Sequence, residues 1–287
     1  MKPAAFSGPF ALGTFSAPGE APFPGLVVPE GHVLDLRTAL GEPALTTRAV
    51  FERWAELLPR LHELAADAQA DRQPLDALHV HAPVEPRQIF QSGANYRQHV
   101  IDLELAHRSP DDPRTVEEAR AETAAIMDRR AAEDLPYVFI GLPSAITGPY
   151  DDVVLPAWAE QPDWELELAA VIARPAYRVS VEEALEYVAG YTIANDLTDR
   201  ATVFRRDTKA IGTDWLHSKN APGFTPLGPW IVPAAQLADP GDLVLTGSPA
   251  GNGMHWGRLL RDGDVMDGSI TSLGAQRTRC VAEETAS

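Results

Sequence analysis

The segment DWELELAAVIARP, Asp163 to Pro175, constrains this chain more than any other. Its second half is a hydrophobic run that belongs in a core. Its first half carries three acids within five residues. Residues two apart on a strand point to the same face, about 7 Å from each other. Glu165 and Glu167 therefore project together, with Asp163 on the same side. Carboxylates held side by side at the edge of a core repel, and they require a cation, a shared proton or water. A hard divalent cation resolves the conflict, because Mg²⁺, Mn²⁺ and Ca²⁺ take oxygen ligands, and Mg²⁺ keeps waters and substrate oxygens in its shell. Asp196, at the end of the strand-like YTIAND, is the candidate third ligand. The competing reading is an edge strand whose acids are simply solvated.

Composition narrows the function classes. The 287 residues are 45% hydrophobic, enough for a sizeable core in one large domain, or one large and one small. A formal charge of -17 and the lack of any polybasic cluster argue against nucleic acid and anionic membranes as partners. The single cysteine, Cys280, rules out a disulfide within the chain and leaves no Cys-based metal site, which fits a reducing compartment. The first residues, MKPAAFSGPFALGTF, hold no long apolar run. No segment reaches the ~18 apolar residues of a membrane span. A cytoplasmic protein is expected.

Along the chain, Phe10 to Leu36 reads as short strands and turns. Thr47 to Gln69 reads as a helix that Pro59 kinks or splits. The polar, Pro-rich DRQPLDALHVHAPVEPRQ suggests a link, giving a small N-terminal β/α unit over 1-82 and a main domain over 83-287. The charged stretch Asp102 to Asp134 is helix-prone, as a solvated surface helix or as a lid over a site starting at Asn95 to His99. ELELAAVIA and GYTIAND read as strands. Ser180 and Glu183 have capping-box spacing and predict a helix start. LGPWIVP, DLVLTGSPAG and DGDVMDGSITSLG read as short strands between Gly and Pro turns. The expected class is α+β with mixed, largely antiparallel sheet.

Several segments, in order, resemble the fumarylacetoacetate hydrolase family: SGANYRQH, PDWELELAAVIAR, YVAGYTIANDLTDR, KNAPGFTPLGPWIVP, GDLVLTGSPAGNG and LRDGDVMDGSITSLG. The likeness runs from Pro86 to Arg279. It implies the β-roll or sandwich of that family's C-terminal domain and metal-dependent chemistry on diketo and 2-oxo acids. It further implies Glu165, Glu167 and Asp196 as ligands to Mg²⁺ or Mn²⁺ and His99 as the base that activates water. Lys219 and Arg200 would meet the substrate's negative oxygens. Tyr96, Thr246, Gly247 and Ser248 would complete its binding site, and the assembly would be a homodimer. In such a site the metal stabilises the enolate released on C–C cleavage.

The chain departs from the family at four places. Many relatives pair the base with a glutamate as His-x-x-Glu, whereas this chain has His99-Val-Ile-Asp102. Asp102 shares a helix face with His99 but has a shorter arm. Ile140 stands where relatives often carry Lys, and Val203 where some carry Gln. Finally, QLADP runs directly into GDLVLTGSPAG, so Asp239, Pro240 and Gly241 span a position where relatives hold several tens of residues. Three functions are therefore expected to compete. One is hydrolysis of acylpyruvate-like C–C bonds. Another is decarboxylation, hydration or tautomerisation through the same enolate. The third is an inactive, shortened relative that only binds.

Overall fold

The computed structural model of the chain describes residues 6–106, 108–208, 210–237, 252–254 and 256–284. The 239–241 join, Thr246, Gly247, Ser248 and the strand expected at DLVLTGSPAG lie outside the described residues.

The N-terminal unit is a five-stranded sheet in the order Gln73–Pro74, His32–Asp35, Phe23–Val28, Ala11–Ser16, His79–Val80, every pair antiparallel. Two helices cover it. Thr47–Glu52 buries Val50 and Phe51, and Trp54–Ala66 buries Leu57, Leu61 and Leu64 at helical spacing. The split expected at Pro59 falls instead at Arg53, whose guanidinium binds Glu42 at 2.7 Å and Glu56 at 2.6 Å. Pro59 is carried inside the second helix.

This sheet does not close its core alone. Leu12 and Ile231 exchange backbone hydrogen bonds of 2.8 and 2.7 Å. Leu12 and Leu26 share one apolar cluster with Ala189, Leu227 and Ile231 from the C-terminal half. The N-terminal sheet and these C-terminal residues thus pack continuously.

The C-terminal half places the site. Leu166–Ile172 runs antiparallel to Val188–Asn195, with Leu166 opposite Asn195, and Val188–Asn195 also pairs with Val232–Pro233. At Gly190 a Cβ would lie 2.3 Å from the Val232 carbonyl oxygen, so only glycine permits that approach. The hairpin Val265–Ile270 and Gly274–Ala282 adds Val153–Leu155 in parallel, while Ile89–Ser92 pairs with Val138–Gly141. The helix expected after Ser180 shrinks to a 3₁₀ turn, Ala184–Tyr187. Its cap is formed, with the Ser180 hydroxyl 3.0 Å from Glu183. However, Val181 and Leu185 are exposed, and no buried face supports further turns.

The charged stretch forms two helices, Arg97–Ala106 and Val116–Glu133, the second opened by a Thr115/Glu118 capping box. They pack on each other through buried Ile101, Ala119 and Met127, tied by Arg97–Asp128 at 2.7 Å and Arg114–Glu104 at 2.9 Å. Among the described residues no helix is long and apolar enough to cross a membrane.

The shared core generates a prediction. Leu12→Ala removes a fully buried side chain from it and should cost ~2–5 kcal/mol. Chemical denaturation should show one cooperative transition moved as a whole. A separate early transition for the first 82 residues would contradict the continuous core.

Candidate metal centre

The three acids converge. Glu165, Glu167 and Asp196 each offer a carboxylate oxygen, and all three oxygens lie within 4.8 Å of one another. The backbone explains the convergence. The Glu165 amide donates to the Asn195 side chain at 3.0 Å, and the Asp196 amide donates to the Glu165 carbonyl at 2.9 Å. Asp196 therefore leaves its strand beside the point where the glutamate strand begins. Gln91 fixes it further, donating from Nε2 to Asp196 Oδ1 at 2.6 Å.

Two buried cations share this cluster. Lys219 Nζ donates to Asp196 Oδ2 at 2.5 Å and to Glu165 Oε2 at 2.9 Å. Arg200 donates from Nε to Asp163 Oδ2 at 2.9 Å and from Nη2 to Glu165 Oε1. Burial opposes the charge on Lys219, but Asp196 and Glu165 outweigh it and hold its pKa above the ordinary value. Burial also works against ionised Glu165, yet Lys219 and Arg200 prevail and pull it down to about 2.

Glu167 is treated differently. Among the described residues nothing donates a hydrogen bond to its carboxylate, and burial, then Asp196 and Glu165, push it well above the ordinary range. An all-oxygen set in which one acid lacks a donor and is repelled by two neighbours fits a hard divalent cation.

Asp163 was expected to stand with Glu165 and Glu167. It lies two residues earlier, in the two-residue strand Pro162–Asp163 paired with Thr198–Asp199, and is fully buried. There it accepts from Arg200, from the Gly253 amide at 2.6 Å and from the Met254 amide at 3.1 Å. Its work is to anchor Arg200 and the 252–254 segment to the cluster. A Cβ at Gly253 would sit 1.9 Å from the Arg258 carbonyl oxygen, so this anchor requires glycine.

The cluster opens into a cavity of about 490 Å³. Its lining includes Glu165, Glu167, Asp196, Arg200 and Lys219, with Tyr96 and His99 beside them. His99 and Leu103, one helical turn apart, both reach the cavity. Asp102 does not line it. The Asp102 carboxylate accepts from Gln98 at 2.7 Å and lies 3.9 Å from Arg120 of the neighbouring helix.

Sequence reasoning missed the opposite wall. Phe139 and Trp215 stack with centroids 5.3 Å apart, and Tyr137 lies 6.1 and 6.3 Å from them. Lys219 Nζ sits 5.4 Å from the Phe139 ring. Tyr137 and Phe139 stand two apart at one strand's start, but Trp215 comes from a separate helix, so no single period marked the three together. Val203, the departure noted above, lines the cavity, whereas Ile140 is exposed elsewhere.

The charges give a test without metal. The depressed Glu165 contributes stability that is present above the ordinary carboxylate pKa (~4.3) and is lost as pH falls toward about 2. The raised Glu167 acts in the opposite sense, costing stability as pH rises from that ordinary value through its own elevated one. Glu167→Gln removes this cost. The metal-free variant should be more stable at pH 7–8 than the parent, by something on the order of 1 kcal/mol, read from denaturation midpoints. A less stable variant would contradict the repulsion.

Comparison with known proteins agrees with this arrangement. The family model "Fumarylacetoacetate (FAA) hydrolase C-terminal" matches residues 88–240 and 238–281, two pieces that meet at the join. The human "Oxaloacetate tautomerase FAHD2B, mitochondrial" is 41% identical over 110 residues, 38% of this chain and 34% of that protein. The "2,4-didehydro-3-deoxy-L-rhamnonate hydrolase" of Sphingomonas sp. (strain SKA58) is 32% identical over 186 residues, 50% of this chain and 64% of that one. Both alignments span less than two thirds of those relatives. Among solved structures, a probable 2-hydroxyhepta-2,4-diene-1,7-dioate isomerase from Mycobacterium abscessus superposes with a TM-score of 0.68 at 23% identity, covering 96% of this chain and 100% of that one. Maleylpyruvate hydrolase from Sphingobium sp. SYK-6, solved with manganese(II) and pyruvate, gives 0.64 at 20% identity, covering 96% and 100%. With the family model spanning most of its length and the fold shared end to end, the chain belongs to the fumarylacetoacetate hydrolase family.

Proposed function

We propose that this protein is a divalent-metal enzyme that interconverts the keto and enol forms of 2-oxo acids. The observation that carries the reading is the convergence of buried Asp196 with half-buried Glu165 and Glu167, opening into a cavity that also holds His99. Mg²⁺ or Mn²⁺ held by these three residues would supply Lewis acidity that stabilises enolate charge. The manganese and pyruvate bound by the maleylpyruvate hydrolase of this fold support a divalent metal and this ligand class.

The chain's own groups divide the remaining work. Lys219 and Arg200 keep Glu165 ionised and locked, so in this state they position the ligand set. His99 takes a proton from C3 of the keto acid and hands a proton to the C2 oxygen, with no net change of atoms. Tyr96 is held up at about 12, by burial and then by Glu167, and so stays a neutral donor facing the substrate.

Two observations favour tautomerisation. The human relative bears that activity in its name. The Asp102 carboxylate, which would orient His99 for water activation, is engaged by Gln98 and faces Arg120. A second reading, hydrolysis of an acylpyruvate, is favoured by the named rhamnonate hydrolase. There His99 takes a proton from water, the oxygen attacks C4, and the C3–C4 bond breaks to give a carboxylate and pyruvate.

Calorimetric titration of Mn²⁺ should give one site per chain, tightened by oxalate. Decay of the phenylpyruvate enol absorbance should accelerate only with metal present. Glu165→Gln should weaken Mn²⁺ binding at least ~10-fold and abolish turnover. His99→Ala should keep Mn²⁺ affinity within about twofold and slow turnover ~10²–10⁴-fold. Pyruvate release from acylpyruvates without enol turnover would move the assignment to the hydrolase. Absence of metal binding would leave the inactive relative.

A further inference from the structure

The wall facing the acids carries information about the substrate's tail. Every cationic side chain among the described lining residues sits at the metal end, apart from the titratable His99. Arg200 is engaged with Asp163 and Glu165, and Lys219 with Glu165 and Asp196. The wall that runs on from Lys219 is apolar, built from the Phe139–Trp215 stack with Tyr137, Val203, Phe204 and Leu103. A second carboxylate on the substrate would lose its water against aromatic faces where the nearest described cation, Lys219, is already paired with Glu165 and Asp196. A flat apolar group would stack there instead.

Two neutral donors also wait at this cavity. The Tyr96 hydroxyl and the Trp215 indole N–H are buried, and each lacks a hydrogen-bond partner among the described residues. Buried donors left unpaired cost free energy, so a ligand that accepts from them is favoured. Neutral donors suit a neutral acceptor such as a ketone oxygen. The volume of about 490 Å³ lies in the range that drug-sized ligands fill and exceeds the needs of a four-carbon acid.

Building on the function proposed above, we infer that the substrate is a 2-oxo acid bearing an aromatic substituent, with 4-aryl-2,4-dioxobutanoates as the best-fitting class, and that dicarboxylic oxo acids bind poorly. The 2-oxo acid head meets the metal end, the 4-oxo group accepts from the neutral donors, and the aryl ring lies against Phe139 and Trp215. This substrate preference is not the one named for the human relative, whose oxaloacetate carries a second carboxylate.

The test compares unreactive probes that share a head and differ in tail. Benzoylformate carries a phenyl ring and ketomalonate a carboxylate, and neither has a C3 hydrogen to transfer. Oxalate serves as the control for the head alone. Each is titrated calorimetrically into the full chain loaded with Mn²⁺. Benzoylformate should bind at least ~10-fold tighter than ketomalonate, the worth of one buried apolar ring over an unpaired charge. Phe204 is exposed at the cavity rim, so Phe204→Arg should fold and place a cation there. It should shift the benzoylformate-to-ketomalonate ratio at least ~3-fold toward ketomalonate. Equal binding of the two probes, or tighter ketomalonate, with oxalate still bound would overturn the aryl assignment and leave the metal enzyme standing. Loss of oxalate binding itself would instead remove the metal-enzyme reading on which the inference rests.

Discussion

The central constraint is like charge held together where water is scarce. Three carboxylate oxygens lie within 4.8 Å, and two buried cations answer only part of that charge. Removing such groups from water is costly unless each gains a partner. Lys219 and Arg200 neutralise Glu165, and Arg200 also pairs with Asp163, which holds the 252–254 segment in place. Glu167 is left with repulsion on two sides. A divalent cation is the group that turns this residual strain into affinity.

The rest of the fold serves that geometry. The register that sets Leu166 opposite Asn195 brings Asp196 to the start of the glutamate strand. Gln91 reaches Asp196 from the strand Ile89–Ser92, and the neighbouring strand Val138–Gly141 supplies Phe139. One small sheet thus orients Asp196 and supplies part of the apolar wall. The helix Arg97–Ala106 closes the side with His99 and is steadied by the outer helix through Arg97–Asp128. This division makes a metal end that is polar and rigid and a tail end that is aromatic and partly open.

Much of the site was legible in the sequence. The two-residue period of a strand put Glu165 and Glu167 together, and a polar end to YTIAND marked Asp196. Lys219, Arg200, Tyr96 and His99, assigned through the family resemblance, all line the same cavity. What failed shares a physical cause, dependence on distant partners. Asp163 was expected on the glutamate face. It is drawn instead into a buried network with Arg200 and the amides of Gly253 and Met254, none of which strand periodicity encodes. Ser180 and Glu183 form their cap, yet the helix stops because no apolar face is buried behind it. The aromatic wall arises where Tyr137 and Phe139, two apart at one strand's start, meet Trp215 of a separate helix.

The most direct measurement is anomalous diffraction from crystals of the full chain grown with Mn²⁺. One strong peak bounded by the carboxylates of Glu165, Glu167 and Asp196 is the result this account predicts. No peak there, or manganese held only by surface acids, would contradict it and would leave the cluster as a self-neutralised ion network.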